Sequence, residues 1–277
     1  MENLVQGLVA WKVYLVFGWI ALFFLLERIY PAAREGALPG ADAQPAEGGL
    51  PRLGRNAALW ACNAVLSLAV VLPVTAWAAS NSLFLRPIAL TGWGGLLLDL
   101  ILLDFLIYWW HRANHRIGFL WRFHQVHHLD RFLDSTSALR FHFGEVFLSA
   151  LARAAVVLVF AIPFSSVVVF EILLLLATVF HHSNLRLPAR LEAVLGRVMI
   201  TPAIHWVHHH AVQRDTDSNY GTLFSFWDRL FGSRNPMARA LDMEIGVQGR
   251  REQPLLGLLL RPFVAQREGR ADRQPSP

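Results

Sequence analysis

The chain has 277 residues, of which 55% are hydrophobic and only 16% are charged. This composition lies well outside the usual balance of a soluble protein and favours an integral membrane protein. The net charge of +5 comes almost entirely from arginine, and no basic-aromatic binding module accompanies it, so we expect anionic lipid headgroups and no nucleic acid as partners. The single cysteine, Cys62, excludes an intramolecular disulfide framework and is expected to be a packed apolar residue.

Three apolar runs are long enough to cross a bilayer as helices, at about residues 8–26, 57–79 and 88–110. Lys12 lies close enough to one end of the first run for its side chain to snorkel towards the membrane surface. Because residues 1–26 contain no small-residue cleavage site, we expect a retained membrane anchor and not a signal peptide.

A fourth apolar stretch, residues 146–180, is too long for one span and is interrupted at 162–166. It predicts a helical hairpin with arms of about 17 residues that span a thin region or re-enter the membrane. Arg153 and Glu171 fall at similar depths on the two arms, roughly 12–15 Å from the turn, and an ion pair between them would offset the penalty of burying either charge. The alternative is that each of them faces a wet cavity separately.

The distribution of arginine predicts the topology. With the N-terminus outside, residues 27–56, 111–145 and 181–277 lie inside and carry nearly all the basic residues, as the positive-inside rule requires. We therefore expect a multi-pass protein of the bacterial inner membrane.

Other segments have less distinctive sequences. Residues 31–55 are expected to form a flexible loop, and the polar residues 265–277 a disordered tail. Residues 255–264 are apolar but too short to span, and they are expected to lie on the membrane surface. The predicted division is an anchor helix and loop (1–56), a membrane-embedded catalytic domain (57–235) and a C-terminal interfacial segment and tail (236–277).

All 12 histidines lie between His111 and His210, and eight of them form three short motifs. An HxxxH begins at His111, and two HxxHH motifs begin at His124 and His205. Histidines at i, i+3 and i+4 project from one side of a helix, so each motif can direct several imidazoles to one point. A single histidine is more often a core or surface residue than a ligand, but three such motifs indicate a metal centre.

The types of side chain at the site restrict which metals can bind there. Nitrogen ligands suit Fe, Cu, Zn or Ni, and the lack of clustered cysteine excludes iron–sulfur clusters and thiolate zinc sites. Eight imidazoles exceed the four to six ligands that one ion accepts, which favours two ions. The predicted topology brings all three motifs to the cytoplasmic side, just beneath the bilayer.

Acidic residues near the histidines are candidates to orient the imidazoles. Asp104, Tyr108, His111 and His115 form one helical stripe, so the Asp104 carboxylate is expected to accept an N–H from an imidazole of the site. Four further carboxylates are candidates for the same role, with exposed loop residues as the alternative interpretation: Asp130, Asp134, Asp215 and Asp217.

Taken together, these motifs resemble the fatty acid hydroxylase and sterol desaturase superfamily of membrane di-iron oxygenases. The resemblance covers about residues 95–235. It implies an all-α integral membrane protein with four to five transmembrane or re-entrant helices and a cytoplasmic helical cap that holds a histidine-rich dimetal site. The segments that carry it are 104–112 (DFLIYWWHR), 140–145 (RFHFGE), 201–209 (TPAIHWVHH), 219–221 (NYG) and 227–232 (WDRLFG).

The resemblance implies a set of site residues. His182 is favoured as a further ligand, with His181 as the alternative, while His142 is expected to line the site or to bind metal. His210 is an additional histidine that is expected to face solvent, and Asp104 and Tyr108 are implied as catalytic residues. The eight remaining metal ligands implied are His111, His115, His124, His127, His128, His205, His208 and His209.

The resemblance also implies a reaction. Family members use two iron ions and O₂ to oxidise an unactivated C–H bond of a lipid. Nothing in the chain resembles a flavin, haem-attachment or ferredoxin motif, so a separate reductase, ferredoxin or cytochrome is expected to supply electrons. Zinc is expected to replace iron in some purified protein.

Several alternatives stay open at this stage. Sterols, fatty acyl chains, carotenoids and alkylglycerols are all possible substrates, and hydroxylation, desaturation and ether cleavage are all possible outcomes. A membrane metal transporter or metal-binding protein is the principal alternative, although its ligands are expected inside the spans near the midplane. A bis-histidine haem protein is a third.

Overall fold

The computed structural model describes residues 2–33 and 49–264, and within them every regular element is helical apart from isolated bridges. This agrees with the predicted all-α fold. Most of the predicted loop at 31–55 lies outside the described residues. The whole of the predicted disordered tail at 265–277 also lies outside them. The helices are α1 (Glu2–Ile29), α2 (Leu50–Leu66), α3 (Leu72–Ser80), α4 (Gly92–Arg116), α5 (Gly118–His128), α6 (Phe143–Phe160), α7 (Phe164–His182), α8 (Ala189–Leu195), α9 (Pro202–His208), α10 (Gln213–Thr216), α11 (Phe226–Leu230) and α12 (Leu255–Leu260).

Five helical stretches in the described part of the chain are long and apolar enough to cross a membrane. Many of their large apolar side chains, such as Phe17, Leu68 and Leu97, point away from the protein interior, as expected for helices that contact lipid. The stretches are Ala10–Ile29, Leu50–Ser80, Gly92–Arg116, Phe143–Phe160 and Phe164–His182.

The second stretch begins at Leu50, and not near residue 57 as the hydrophobic run predicted. Its first turns contain Arg52 and Arg55, which interrupt the apolar pattern, yet both side chains are buried in contacts with acidic residues. A π-helical turn at Ser67–Val71 separates α2 from α3. It lies just before Pro73, which has no N–H to continue the regular hydrogen-bond ladder.

The hairpin of α6 and α7 was predicted correctly. Ala161 ends α6 in the left-handed region (φ 51°), and Pro163 precedes α7. An Arg153 guanidinium nitrogen lies 3.2 Å from a Glu171 carboxylate oxygen, so the predicted ion pair is confirmed. Lys12, expected to snorkel, instead lies 3.5 Å from the other oxygen of Glu171.

Cys62 is exposed on α2, so the prediction that it packs in the interior is wrong. It lies on the outward side of a helix that is long enough to span, where a weakly polar thiol is tolerated by lipid.

One end of the helical bundle carries a cap built from α5, α9 and the segments around them. Arg52 binds this cap to α2, because its guanidinium lies 2.7 Å from Asp130 and 2.8 Å from Asp134. The chain after residue 236 also packs here: Ile245 lies in one core cluster with Trp206, and Leu258 lies in another with Leu59.

Candidate metal centre

The histidine motifs converge into two groups at the junction of the spans and the cap. The ligand nitrogens within each group all lie within 4.8 Å of one another, on the scale of a coordination sphere with metal–nitrogen bonds of about 2 Å. The first group contains His111, His115, His124, His128 and His208, and the second contains His127, His182, His205 and His209.

Each HxxHH motif contributes to both groups. On α5, His124 and His128 belong to the first group, whereas His127 belongs to the second. The third motif does the reverse, because His205 and His209 belong to the second group and His208 to the first. Residues at i and i+4 share a helix face while adjacent residues point about 100° apart, so one motif serves two neighbouring centres.

The ring orientations in the second group leave two nitrogen lone pairs facing each other. Nδ1 of His127 lies 3.0 Å from the Arg140 carbonyl oxygen, and Nδ1 of His182 lies 2.8 Å from that of Thr178. A carbonyl only accepts, so both Nδ1 atoms donate, and in the neutral tautomer both Nε2 atoms carry lone pairs. These Nε2 atoms nevertheless face each other at 3.0 Å. A metal ion between the rings would satisfy both lone pairs.

The first group has the same arrangement. Nδ1 of His111 donates to the Tyr220 carbonyl oxygen at 2.9 Å, and Nδ1 of His208 donates to that of Ser218 at 2.6 Å. Nε2 of His208 and both ring nitrogens of His115 are buried without a hydrogen-bond partner among the described residues. Buried polar atoms are normally satisfied, so these nitrogens are candidate positions for binding an ion.

Burial favours the neutral form of several of these imidazoles. For the ligand candidates outside the spans, such as His128, His205 and His209, burial and then neighbouring histidines lower the pKa well below its usual value. Burial is also the main factor that lowers the pKa of His208, to about 3. Neutral imidazole is the form that binds metal.

A carboxylate from a membrane helix orients one ligand of the first group. Oε1 of Glu145, on α6, accepts from Nδ1 of His124 at 2.8 Å and from the Asn114 amide at 3.1 Å. Glu145 lies in the family-like segment 140–145, but no role was predicted for it from sequence. The indication available was its acidic charge at the start of an otherwise apolar helix.

Two of the four predicted orienting aspartates lie near imidazoles. Oδ1 of Asp217 lies 3.5 Å from Nδ1 of His115, and Asp215 lies 2.8 Å from Nδ1 of His210. His210, expected to face solvent, is therefore largely buried against Asp215. The prediction is wrong for Asp130 and Asp134, which form ion pairs with the buried Arg52.

Asp104 and Tyr108 do not contact an imidazole through their polar atoms. The Asp104 carboxylate accepts from the backbone N–H groups of Leu223 and Phe224 and from the Trp227 indole at 2.8 Å. The Tyr108 hydroxyl lies 2.7 Å from Ser233 Oγ. The first two members of the α4 stripe thus bind the segment 223–233, which follows the third histidine motif.

A cavity of about 270 Å³ opens onto both histidine groups. His111 and His124 of the first group line it, as do His127, His182 and His205 of the second. Most of the remaining wall comes from α4, α6 and α7 and is apolar. An alkyl chain in this cavity would therefore reach both groups.

The sequence model of the fatty acid hydroxylase family matches residues 96–233, which contain all the histidines of both groups. The chain belongs to the fatty acid hydroxylase family. The family resemblance predicted from the histidine motifs is thereby confirmed.

Curated relatives of the family are lipid-modifying enzymes. The ornithine lipid hydroxylase of Rhizobium tropici is 30% identical over 176 residues, 63% of this chain and 51% of its own length. The alkylglycerol monooxygenase of Caenorhabditis elegans is 32% identical over 47% of this chain and 25% of its own length. The mouse lathosterol oxidase is 32% identical over 47% of this chain and 41% of its own length. The chain thus spans about half or less of the length of these relatives, and no solved structure matches it.

Two ligand candidates carried over from the family, His142 and His181, are members of neither group. His142 accepts from the Gly144 N–H at Nδ1 and lies 3.0 Å from the Leu259 carbonyl oxygen at Nε2, so both nitrogens are occupied and the geometry does not fit a metal ligand. His181 lines the cavity, whereas its neighbour His182 is a member of the second group.

Proposed function

We propose that this protein is a membrane-bound di-iron oxygenase that uses O₂ and external electrons to hydroxylate or desaturate a C–H bond of a lipid. The observation that carries the proposal is the pair of buried histidine groups, which meet at the end of one apolar cavity. The relatives, whose names describe hydroxylation or oxidation of lipids, support the same class of oxidoreductase.

The ligand residues would hold one metal ion in each group. Carbonyl acceptors at Nδ1 fix the tautomers of His111, His127 and His208, so that Nε2 is available for the metal. Two irons bound there would activate O₂ and supply the oxidising power that breaks an unactivated C–H bond. Glu145 accepts from Nδ1 of His124, which fixes the tautomer of this imidazole and limits its rotation.

The cavity performs the remaining functions of the site. Its apolar lining, which includes Ile107, Val146 and Leu174, would bind an alkyl chain and exclude water from the reacting carbon. Phe141 stacks on the His127 ring at 4.3 Å between centroids and restricts its movement. A substrate would enter laterally from the bilayer, between the helices that line the cavity.

The setting of the enzyme is part of the proposal. We place the metal centre on the cytoplasmic side of a bacterial inner membrane, where a reductase, ferredoxin or cytochrome would deliver electrons. Residues 57–235 would form the catalytic domain, with 1–56 as anchor and loop and 236–277 as an interfacial segment and tail. Zinc would compete with iron for the imidazoles in purified protein.

The test is metal content per chain in detergent-purified protein expressed in iron-rich medium. We expect close to two irons in wild type and few in a His127→Ala/His208→Ala double variant, which removes one ligand from each group. His142→Gln is the matched control, because it replaces a buried histidine outside both groups and is expected to retain both ions.

Activity is tested separately with O₂, a reductase and a panel of membrane lipids. Oxygen-dependent oxidation of a lipid by wild type, absent from the double variant, supports the proposal. One metal or none in wild type, unaffected by the two substitutions, would show that the histidines are not a shared centre and would refute it.

A further inference from the structure

The cavity that opens onto the histidines also contains an ion pair deep among the spans. Arg153 on α6 and Glu171 on α7 both line its wall. Arg153 follows Glu145 by eight residues, about 12 Å along α6, and Glu171 precedes His182 by eleven residues, about 16 Å along α7. The cavity therefore has metal-binding residues at one end and charged residues well inside the membrane helices.

The ion pair is costly where it lies. Two charges removed from water recover their hydration energy only with ideal geometry and full hydrogen bonding, and an apolar pair of similar volume is often equally stable. Ionisable side chains inside a membrane bundle therefore indicate a functional site. The hairpin itself does not need them, since α6 and α7 already pack through apolar residues such as Val157 and Phe170.

The pair also has unused hydrogen-bonding capacity. One Glu171 oxygen lies 3.2 Å from Arg153 and the other 3.5 Å from Lys12, so both oxygens have a cationic partner. Arg153 is only 7% exposed, and its Nε has no hydrogen-bond partner among the described residues. Lys12, Arg153 and Glu171 together carry one surplus positive charge. The Nε–H of Arg153 is a buried donor that is free to bind a further group.

We infer that Arg153 is a polar anchor for the lipid substrate, and that it donates a hydrogen bond to an oxygen atom far from the carbon that is oxidised. The inference rests on the proposed function, because it assigns the substrate of that same site. The substrate class is an amphiphile whose oxygen, in a hydroxyl, carbonyl or carboxylate group, is about 12–16 Å from the reacting carbon. The surplus charge favours a carboxylate among these groups.

The anchor would act as a ruler for the position of oxidation. Between the two ends, Val146, Leu174 and Leu175 offer an apolar path for a methylene chain. If the oxygen is held at Arg153, the carbon that reaches the histidines is set by its distance from that oxygen and not from the methyl end of the chain.

Binding tests the anchor without requiring metal or turnover. Full-length protein in nanodiscs is titrated with dodecane, 1-dodecanol and dodecanoate, in competition with a radiolabelled fatty acid. We expect the two oxygenated compounds to bind at least about tenfold more tightly than dodecane, with dodecanoate the tighter, because a hydrogen bond from a charged donor contributes about that much. In Arg153→Met the difference should shrink to less than about threefold while dodecane binding is retained.

A second variant keeps the test valid if Arg153→Met does not fold. Arg153→Met/Glu171→Leu removes the pair together, leaves no unpaired carboxylate and should also lose the preference for oxygenated compounds. Arg190→Met, at an exposed position on α8, is the matched control and should behave as wild type. Equal binding of all three compounds by wild type, or an unchanged preference in both Arg153 variants, overturns the inference.

Product analysis separates this inference from the proposed function. With oxygenated substrates of increasing length, we expect wild type to oxidise a carbon at a constant distance from the oxygen and Arg153→Met to give scattered positions. A constant distance from the methyl end overturns the anchor while the oxygenase stands. The expected binding preference without any metal or oxidation would support the anchor and refute the oxygenase.

Discussion

Oε1 of Glu145 lies 2.8 Å from Nδ1 of His124, and this contact connects a membrane helix directly to the first histidine group. The carboxylate stands at the start of α6, where it also accepts from the Asn114 amide of α4. Glu145 on α6 thus connects α4 and α5 through Asn114 and His124.

We predict that Glu145→Ala weakens metal binding to the first group by about 10–100-fold, because the loss of this carboxylate frees the His124 imidazole to rotate and no longer fixes its tautomer. Chelator competition measures the affinity. Glu244→Ala removes an exposed carboxylate outside the site and should leave the affinity unchanged. Equal affinity in the two variants would show that Glu145 does not orient the ligand.

The adjacent histidines at the end of α7 should differ in their effects. Nε2 of His182 lies 3.0 Å from that of His127 and 2.9 Å from that of His205, whereas His181 is outside both groups. We expect His182→Ala to lose about one metal ion per chain and His181→Ala to retain two while its lipid turnover changes. Metal analysis of both variants tests this difference. Loss of metal from His181→Ala but not from His182→Ala would show that His181 is the ligand.

Arg52 should be a major contributor to stability. It is 3% exposed and binds Asp130 and Asp134, and although burial alone would raise the pKa of Asp130, attraction to Arg52 and then Arg140 lowers it to about 2. Arg52→Met leaves buried carboxylates unpaired, so we predict a loss of about 3–5 kcal/mol in the free energy of unfolding. Denaturation in detergent measures it.

Arg190→Met, a substitution of an exposed arginine, serves as the comparison for Arg52→Met and should change the free energy of unfolding by less than about 0.5 kcal/mol. A similarly small effect of Arg52→Met would mean that α2 does not depend on this contact to bind the cap.

Asp104 is expected to act through stability and not through chemistry. Its carboxylate accepts from three donors in the segment 223–227, and Asp104→Ala would leave these buried groups unsatisfied. We predict a destabilisation of at least about 2 kcal/mol, measured as a lower melting temperature, with Asp242→Ala at an exposed position as the control. Normal stability with loss of activity would restore the catalytic role that the sequence suggested.

The local features of this protein followed from its sequence. Helix periodicity aligned the histidines within each motif, and the lengths of the apolar runs predicted the spans and the hairpin. The pair formed by Arg153 and Glu171 was also predictable, since their distances from Pro163 along two antiparallel helices set their depths. Each of these inferences needs only the geometry of one helix or one hairpin.

Tertiary structure alone decided how the motifs combine. The pattern HxxHH does not reveal that His127 joins His182 while His128 joins His208, because this depends on which helix packs against each face of α5. Likewise, the carboxylates of Asp104, Asp130 and Asp134 bind groups 74 to 123 residues away in sequence. Asp130 and Asp134 also have contacts with near neighbours. A buried polar group takes whichever partner the packed helices bring to it, and spacing along a single helix contains no information about that partner.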